Sequence, residues 1–336
     1  MSTHPKYPTL NYIGNKAKIV DWICDHIPDD VTSLFDAFCG GSSVAYAAKS
    51  KGLTVYCNDI IKINYYIAKA LIENSSETLT PADVETIFAG EPKRGFMYRH
   101  YSDVFYFPEE CMELDQYHAN IQALSSEYKA ALAFTLMRRA MIRKMPYSRF
   151  TIPWDKIKQL RDEEYSYEKY KRKRAYHNES FQHHFVHSLK AYNEAIFDNG
   201  TDCKAYNEDV FQAIDRIDAD LIYLDPPYAG TMNDYFKFYG VIDEYIEGRK
   251  IPPFENNFVD KKTVLELFNK LFAKLGKYKY WMLSYNNTSY PTQEQMIELL
   301  QRYVRKIEVF EKPHTYQITG KEKKKDNTEY LFLVRT

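Results

Sequence analysis

Apolar positions recur at helical spacing over residues 17–27, and Pro28-Asp29-Asp30 ends that run. Residues 31–38 read as a strand, Gly40-Gly41-Ser42-Ser43 as a tight turn and 44–49 as the opening of a second helix. A second strand over 53–57 ends at Asn58-Asp59, and 60–73 is helical again. Strand and helix thus alternate, which predicts a parallel α/β sheet. After Asn74 the alternation lapses. Up to about residue 200 the pattern gives one long helical stretch, 125–143, and a basic, tyrosine-rich segment. The alternation resumes near Ala205 with the apolar run Leu221-Ile222-Tyr223-Leu224, a helix over 263–275, a strand over 280–284 and a helix over 293–303. Two β-like runs, 306–310 and 330–334, flank a charged loop, 320–327. The expectation is an α/β core, 1–75 and 200–336, interrupted by a mostly helical inserted module, 76–199.

Composition narrows the setting. The chain has 336 residues, 45% of them apolar, enough for one large domain or two ordinary ones. Its formal net charge is −1, so a nucleic-acid partner has to be met by a local patch. Five scattered cysteines without zinc-ligand spacing read as free thiols in a reducing compartment. The first residues carry no apolar signal core, and no stretch approaches the length of a membrane span. These features predict a cytoplasmic protein without a membrane partner.

The sharpest chemistry is Asp225-Pro226-Pro227-Tyr228, directly after the apolar run. Neither proline has an N–H to donate, and both fix φ. The Asp225 carboxylate and the Pro226 carbonyl can accept from an amino group with two N–H donors, and the Tyr228 ring can stack on a flat heterocycle. The plainer reading is an acidic turn after a strand. Upstream, Phe35 to Ser43 carries two glycines where a strand passes into a helix, which allows positive φ and close approach of a ligand beyond the carboxyl ends of the strands. Asp59, ending the next strand, can accept from a ribose diol. This is neither the three-glycine dinucleotide fingerprint nor a phosphate loop. It suits a nucleoside cofactor without phosphates, although loop glycines and turn acids alone are common.

Together these segments resemble the Dam-like alpha group of DNA adenine-N6 methyltransferases, which use S-adenosylmethionine. The order matches: Asn11-Tyr12-Ile13-Gly14-Asn15-Lys16, then the glycine turn, an insert, and Asp225 to Tyr228. The resemblance implies a Rossmann-like methyltransferase sheet with an inserted target-recognition module. It implies methyl transfer to N6 of a flipped-out adenine in double-stranded DNA. By position it assigns Tyr12 and Lys16 to cofactor contact and Phe38, Cys39 and Gly40 to the methionine end. Asp36 falls near the cofactor's amino group, Asp59 on the ribose, and Asp209, with Val210 beside it, on the cofactor's adenine amine. Asp225, Pro226, Pro227 and Tyr228 would hold the target base. Asn11 stands where relatives often carry lysine, and Ser42 where many carry glycine. RNA or protein-amide methyltransferases of this fold usually have asparagine in place of Asp225. They stay open as an alternative, as does a non-catalytic DNA-binding relative.

From Arg138 to Arg174 thirteen Lys/Arg face five Asp/Glu, a local net of +8 with interleaved aromatics, as expected for a phosphate-backbone partner or for a solvated helix face. Arg143, Lys144, Arg149, Lys171, Arg172, Lys173 and Arg174 are the candidate DNA contacts. The stretch from Arg143 to Phe150 is similar to that of modification methyltransferases accompanying type IIS restriction enzymes of the FokI kind, which implies a cognate endonuclease acting separately. His177, His183, His184 and His187 lack cysteine partners, so surface or DNA-facing histidines are expected rather than a metal. The Lys321–Lys325 run reads as a loop that can touch DNA. Tyr285-Asn286-Asn287 either closes the target pocket or forms a plain turn.

Overall fold

A seven-stranded sheet, ordered β3-β2-β1-β4-β5-β7-β6, carries the site. The structure is a computed structural model; it describes residues 5–12, 14–171, 177–229, 235–253, 257–314 and 327–336. The strands are β1 (Ser33–Asp36), β2 (Thr54–Asn58), β3 (Lys204–Tyr206), β4 (Leu221–Leu224), β5 (Tyr280–Asn286), β6 (Lys306–His314) and β7 (Asn327–Arg335). The first five run parallel, whereas β7 is antiparallel to both β5 and β6. The sequence pattern predicts the strands but is blind to this antiparallel edge, because period-2 alternation carries no direction.

The chain divides into two compact units. One, Asn15–Ile60, Asn199–Asn233 and Phe254–Thr336, holds the whole sheet. Its helices are α1 (Val20–Cys24), α2 (Ser43–Ser50), α11 (Val210–Arg216), α13 (Val264–Ala273) and α14 (Gln293–Leu300), in the chain-order numbering used throughout. All four residues of β4 and all seven of β5 are buried, as expected for strands covered on both faces. One core cluster joins Phe35, Ile222, Leu224, Leu283 and Phe332 of the sheet to Ile214, Phe268, Leu271 and Leu299 of the helices. Each such side chain contributes about 1.5–3 kcal/mol on burial.

The other unit, Met1–Gly14, Ile61–Asp198 and Asp234–Pro253, has helices and connecting loops but no named strand among its described residues. It contains α3 (Lys62–Ala68), α4 (Pro81–Phe88), α5 (Phe96–Tyr101), α6 (Pro108–Gln122), α7 (Glu127–Lys144), α8 (Trp154–Arg161), α9 (Glu163–Tyr170), α10 (Phe181–Asn193) and α12 (Tyr235–Glu247). From Ala131 to Ile142 every residue of α7 is buried, and the helix packs on α3 and α10. α3 groups with α7, because periodicity shows that a helix exists but not which neighbour it packs against. Among the described residues no helix is long and apolar enough to cross a membrane.

The expected helix over 17–27 begins later and is preceded by a separate turn. Asn15 caps a 3-10 turn, Lys16–Lys18, by accepting from the Ala17 N–H at 2.8 Å. Ile19, at φ −124°, interrupts the spiral before α1. That break leaves Lys16 at the head of the turn with its side chain 7% exposed.

Candidate active site

From β1 the chain steps outward to β2 and β3 on one side, then returns to β4 and β5 on the other. The reversal between β1 and β4 is the place where open α/β sheets bind ligands, outside the carboxyl ends of the strands. Asp36 ends β1 there, in register with Tyr223 of β4, and Asp225 follows two residues later. β2 ends alongside at Asn58-Asp59.

The glycine turn is built as its sequence demands. Gly40 has φ +49° and Ser42 φ +60°, both in the left-handed region. The Ser42 N–H closes onto the Cys39 carbonyl at 2.6 Å, and the Gly40 N–H donates to Asp59 Oδ2 at 2.9 Å. Positive φ at Ser42 gives a physical reason why glycine would suit that position. Asp59 is therefore tied to the turn by one oxygen and is 9% exposed.

Asp36 is 1% exposed, and its Oδ1 has no hydrogen-bond partner. Burial, then the nearby carboxylates of Asp225 and Asp59, push its pKa well above the ordinary range. A buried acceptor beside two further acids suits a cationic amine donor.

Asp225 belongs to a buried cluster of four. Lys16 Nζ donates to the Tyr228 hydroxyl at 2.8 Å and to Glu329 Oε2 at 3.1 Å, and lies 3.4 Å from Asp225 Oδ1. The Tyr228 hydroxyl in turn donates to Asp225 Oδ1 at 2.7 Å. The Tyr228 ring meets Tyr285 edge-to-face at 5.1 Å, so both its hydroxyl and its ring are fixed. Burial is the largest influence on Asp225 and raises its pKa; Lys16 and Tyr228 oppose the rise, and Glu329 adds to it. One Asp225 oxygen is thus held from within, and the other, Oδ2, has no recorded partner in the described residues.

Of the other expected cofactor residues, Cys39 is a buried thiol beside Cys57, its pKa pushed up by burial. Phe38 is half-buried and packs edge-to-face on Phe258 at 5.3 Å. Asp209 is exposed and caps α11, accepting from the Phe211 N–H at 2.9 Å, while Val210 is buried in the core cluster. Tyr12 belongs to the helical unit, where it stacks on Tyr239 at 5.0 Å and accepts from Asn64 at 2.9 Å.

Among the expected DNA contacts, Lys144 departs furthest from expectation. It is 2% exposed, with Nζ 2.8 Å from Glu110 Oε1 and 2.6 Å from the Glu179 carbonyl. Arg143 donates from Nε to His184 Nδ1 at 3.1 Å. Arg149 is half-buried and Lys171 exposed. Arg172, Lys173, Arg174 and the Lys321–Lys325 run lie outside the described residues. Four cations of the basic segment, Arg138, Arg139, Lys144 and Arg161, are buried, and the last two share Glu110, so part of the local +8 is held inside rather than displayed. His177 and His184 are buried at 1%, against Arg143, while His183 and His187 are exposed on α10.

Sequence reasoning missed three groups. Asn58 bonds both ways with the Glu208 backbone at 3.1 Å, and Asn207 donates to the Asp59 carbonyl at 2.7 Å, fixing the segment before α11 to the end of β2. Glu329 is the third. Because β7 runs antiparallel to β5, its beginning lies where the parallel strands end, with Glu329 in register with Asn286. Asn287 secures that start: its N–H donates to the Thr328 carbonyl at 3.0 Å, and its side-chain Oδ1 accepts from the Thr328 N–H at 3.1 Å. Asn286 accepts from Thr288 and Ser289, so Asn286-Asn287 form a structured turn.

Comparison with known proteins agrees with this arrangement. A family model described as "D12 class N6 adenine-specific DNA methyltransferase" matches residues 12–299. The type II methyltransferase M2.HphI of Haemophilus parahaemolyticus is 58% identical over 331 residues, 98% of either chain. M.CviAII of Paramecium bursaria Chlorella virus 1 is 25% identical over 354 residues, 97% of this chain and 98% of that one. M.FokI of Planomicrobium okeanokoites is 22% identical over 367 residues, 97% of this chain but 52% of that larger protein.

Proposed function

The chain belongs to the D12 class of N6 adenine-specific DNA methyltransferases, and from that premise we propose that Asp225, held by Lys16 and Tyr228, receives the N6 amine of a flipped-out adenine while S-adenosylmethionine lies across the Asp36 and Gly40 turn. The observation that carries this reading is the polarised Asp225: Oδ1 is bound by Tyr228 and faced by Lys16, which directs Oδ2 toward a donor. An adenine N6 has two N–H bonds to offer and a lone pair delocalised into its ring. Accepting those bonds at Asp225 and at the Pro226 carbonyl localises the lone pair. The preceding prolines and the fixed Tyr228 ring keep the acceptors still, so catalysis is positioning and electrostatics.

S-adenosylmethionine supplies an already activated methyl group. The residues present fit it: the orphaned, buried Asp36 Oδ1 matches its amino group, and Asp59 its ribose hydroxyls. Asp59→Ala removes an acceptor and loosens the Gly40 turn at once. We expect it to weaken cofactor affinity by about 1.5–3 kcal/mol, roughly ten- to hundredfold, by titration calorimetry.

The helical unit is the proposed target-recognition module, and double-stranded DNA the partner. Arg149 and Lys171 are better placed to meet phosphates than the internally paired Lys144. Arg149→Ala should weaken binding about equally on all sequences and lower the salt slope of log K by about 1. By similarity to type II and FokI-like methylases, the enzyme serves as the modification half of a restriction–modification pair, with a separate endonuclease, in the cytoplasm. The test is incubation with labelled S-adenosylmethionine and DNA of diverse sequence, followed by mapping of the modified base. Label on adenine N6 at a fixed sequence is expected; label on cytosine or only on RNA overturns the reading.

A further inference from the structure

Two carboxylates share one ammonium at the heart of the site. Lys16 is 7% exposed, Glu329 1% and Asp225 19% by side chain. With all three ionised, the cluster carries net −1. Simple pairing of Lys16 with Asp225 needs no second acid, and burying an extra carboxylate is unfavourable unless another requirement retains it.

We propose that Glu329 is a positioning residue for methyl transfer: by sharing the Lys16 ammonium it keeps the cluster at net −1, so that Asp225 can take the proton that N6 must shed. This rests on the reading of Asp225 as the amine acceptor. The N6 lone pair forms the new N–C bond, the electron pair of the broken S–C bond stays on sulfur, and the nitrogen then carries one proton too many. That proton passes to Asp225 Oδ2, taking the cluster from net −1 to neutral. Asp225 is partly exposed and returns the proton to water. Without Glu329, Asp225 would no longer share the Lys16 ammonium with a second carboxylate, and it would be less basic when the proton arrives. Among the described residues, other titratable groups facing the cluster are Asp36 on β1, Tyr223 on β4 and Tyr285 on β5, whose ring meets Tyr228; Tyr223 is bonded to Ser284 at 2.6 Å.

Glu329→Gln keeps the shape and removes the charge; Glu329→Asp keeps the charge. Single-turnover transfer by Glu329→Gln should fall at least tenfold, with donor and DNA dissociation constants within twofold of wild type. The acidic limb of its pH–rate profile should move to lower pH, because the charge that adds to the burial-driven rise of the Asp225 pKa is gone. Glu329→Asp should recover part of the rate. A second readout needs no turnover: in the ligand-free protein the ¹³C carboxyl resonance of Asp225, assigned by its loss in Asp225→Asn, should titrate at lower pH in Glu329→Gln than in wild type. Wild-type rate with an unmoved titration overturns the proposal. So does a rate loss that tracks thermal unfolding while Asp225 titrates as before. Wild-type enzyme that fails to label adenine would instead sink the functional reading, and the Asp225 titration would still decide the role of Glu329.

Discussion

Asp225→Ala should abolish measurable methyl transfer, a loss of roughly 10²–10⁴-fold or more in single-turnover rate, while S-adenosylmethionine affinity stays within a few-fold. The separation follows from placement. Asp225 follows β4, whereas of the proposed cofactor acceptors Asp36 ends β1 and Asp59 follows β2. Removing the carboxylate deletes the acceptor for N6 and also unfastens Tyr228, whose hydroxyl donates to it at 2.7 Å. Lys16 keeps Glu329 as a counter-ion, so no buried charge is left unpaired and the fold should survive. Rapid-quench assays with labelled donor, beside calorimetric titration of the donor, separate the two effects. Near-normal turnover would remove Asp225 from the chemistry.

Glu110→Ala should be the most damaging single change to the helical unit, costing about 3–5 kcal/mol. Arg161 grips this carboxylate with two bonds, 2.8 and 2.6 Å, and Lys144 adds a third contact at 2.8 Å. Both cations are under 9% exposed, so truncation strands two buried positive charges. Burial alone would raise the Glu110 pKa, but bonding and attraction from Arg161 and Lys144 win and hold it below the ordinary glutamate value. A depressed folded pKa contributes stability above the unfolded pKa that is lost as the pH falls through the folded one. Wild type should therefore show an acid-side decline in denaturant midpoint that flattens in Glu110→Gln. Equal midpoints for wild type and Glu110→Ala would show that the triad contributes nothing.

The same triad explains where sequence reading ran out. A +8 segment looks like a DNA-facing surface when charges are counted locally. Glu110 lies on α6, too far upstream to enter that count, yet in space it pairs with both Lys144 and Arg161. The core strands were legible because they announce themselves locally: Leu221–Leu224 is apolar throughout and coincides with β4. Asp225 and the Gly40 turn were legible because both are contiguous motifs beside such a strand. Glu329 was invisible for the opposite reason. It sits in an ordinary alternating run, and only the antiparallel register with β5 brings it to Asp225. The helix over 60–73 was found as a helix, but its packing partner, α7, depends on tertiary contacts that periodicity does not encode.

That antiparallel strand has a consequence for assembly. β7 lies between β5 and β6 in the sheet although it follows both in the chain. β6 can join the sheet only after β7 has arrived to bridge it. During synthesis, the earlier strands can pair and the glycine turn can form while the polypeptide is still being made. The acid that shares the Lys16 ammonium arrives only with Asn327–Arg335. A product stopped short of this strand would keep the whole Asp-Pro-Pro-Tyr motif but lack both the acid that shares the Lys16 ammonium and the strand that joins β6 to the sheet.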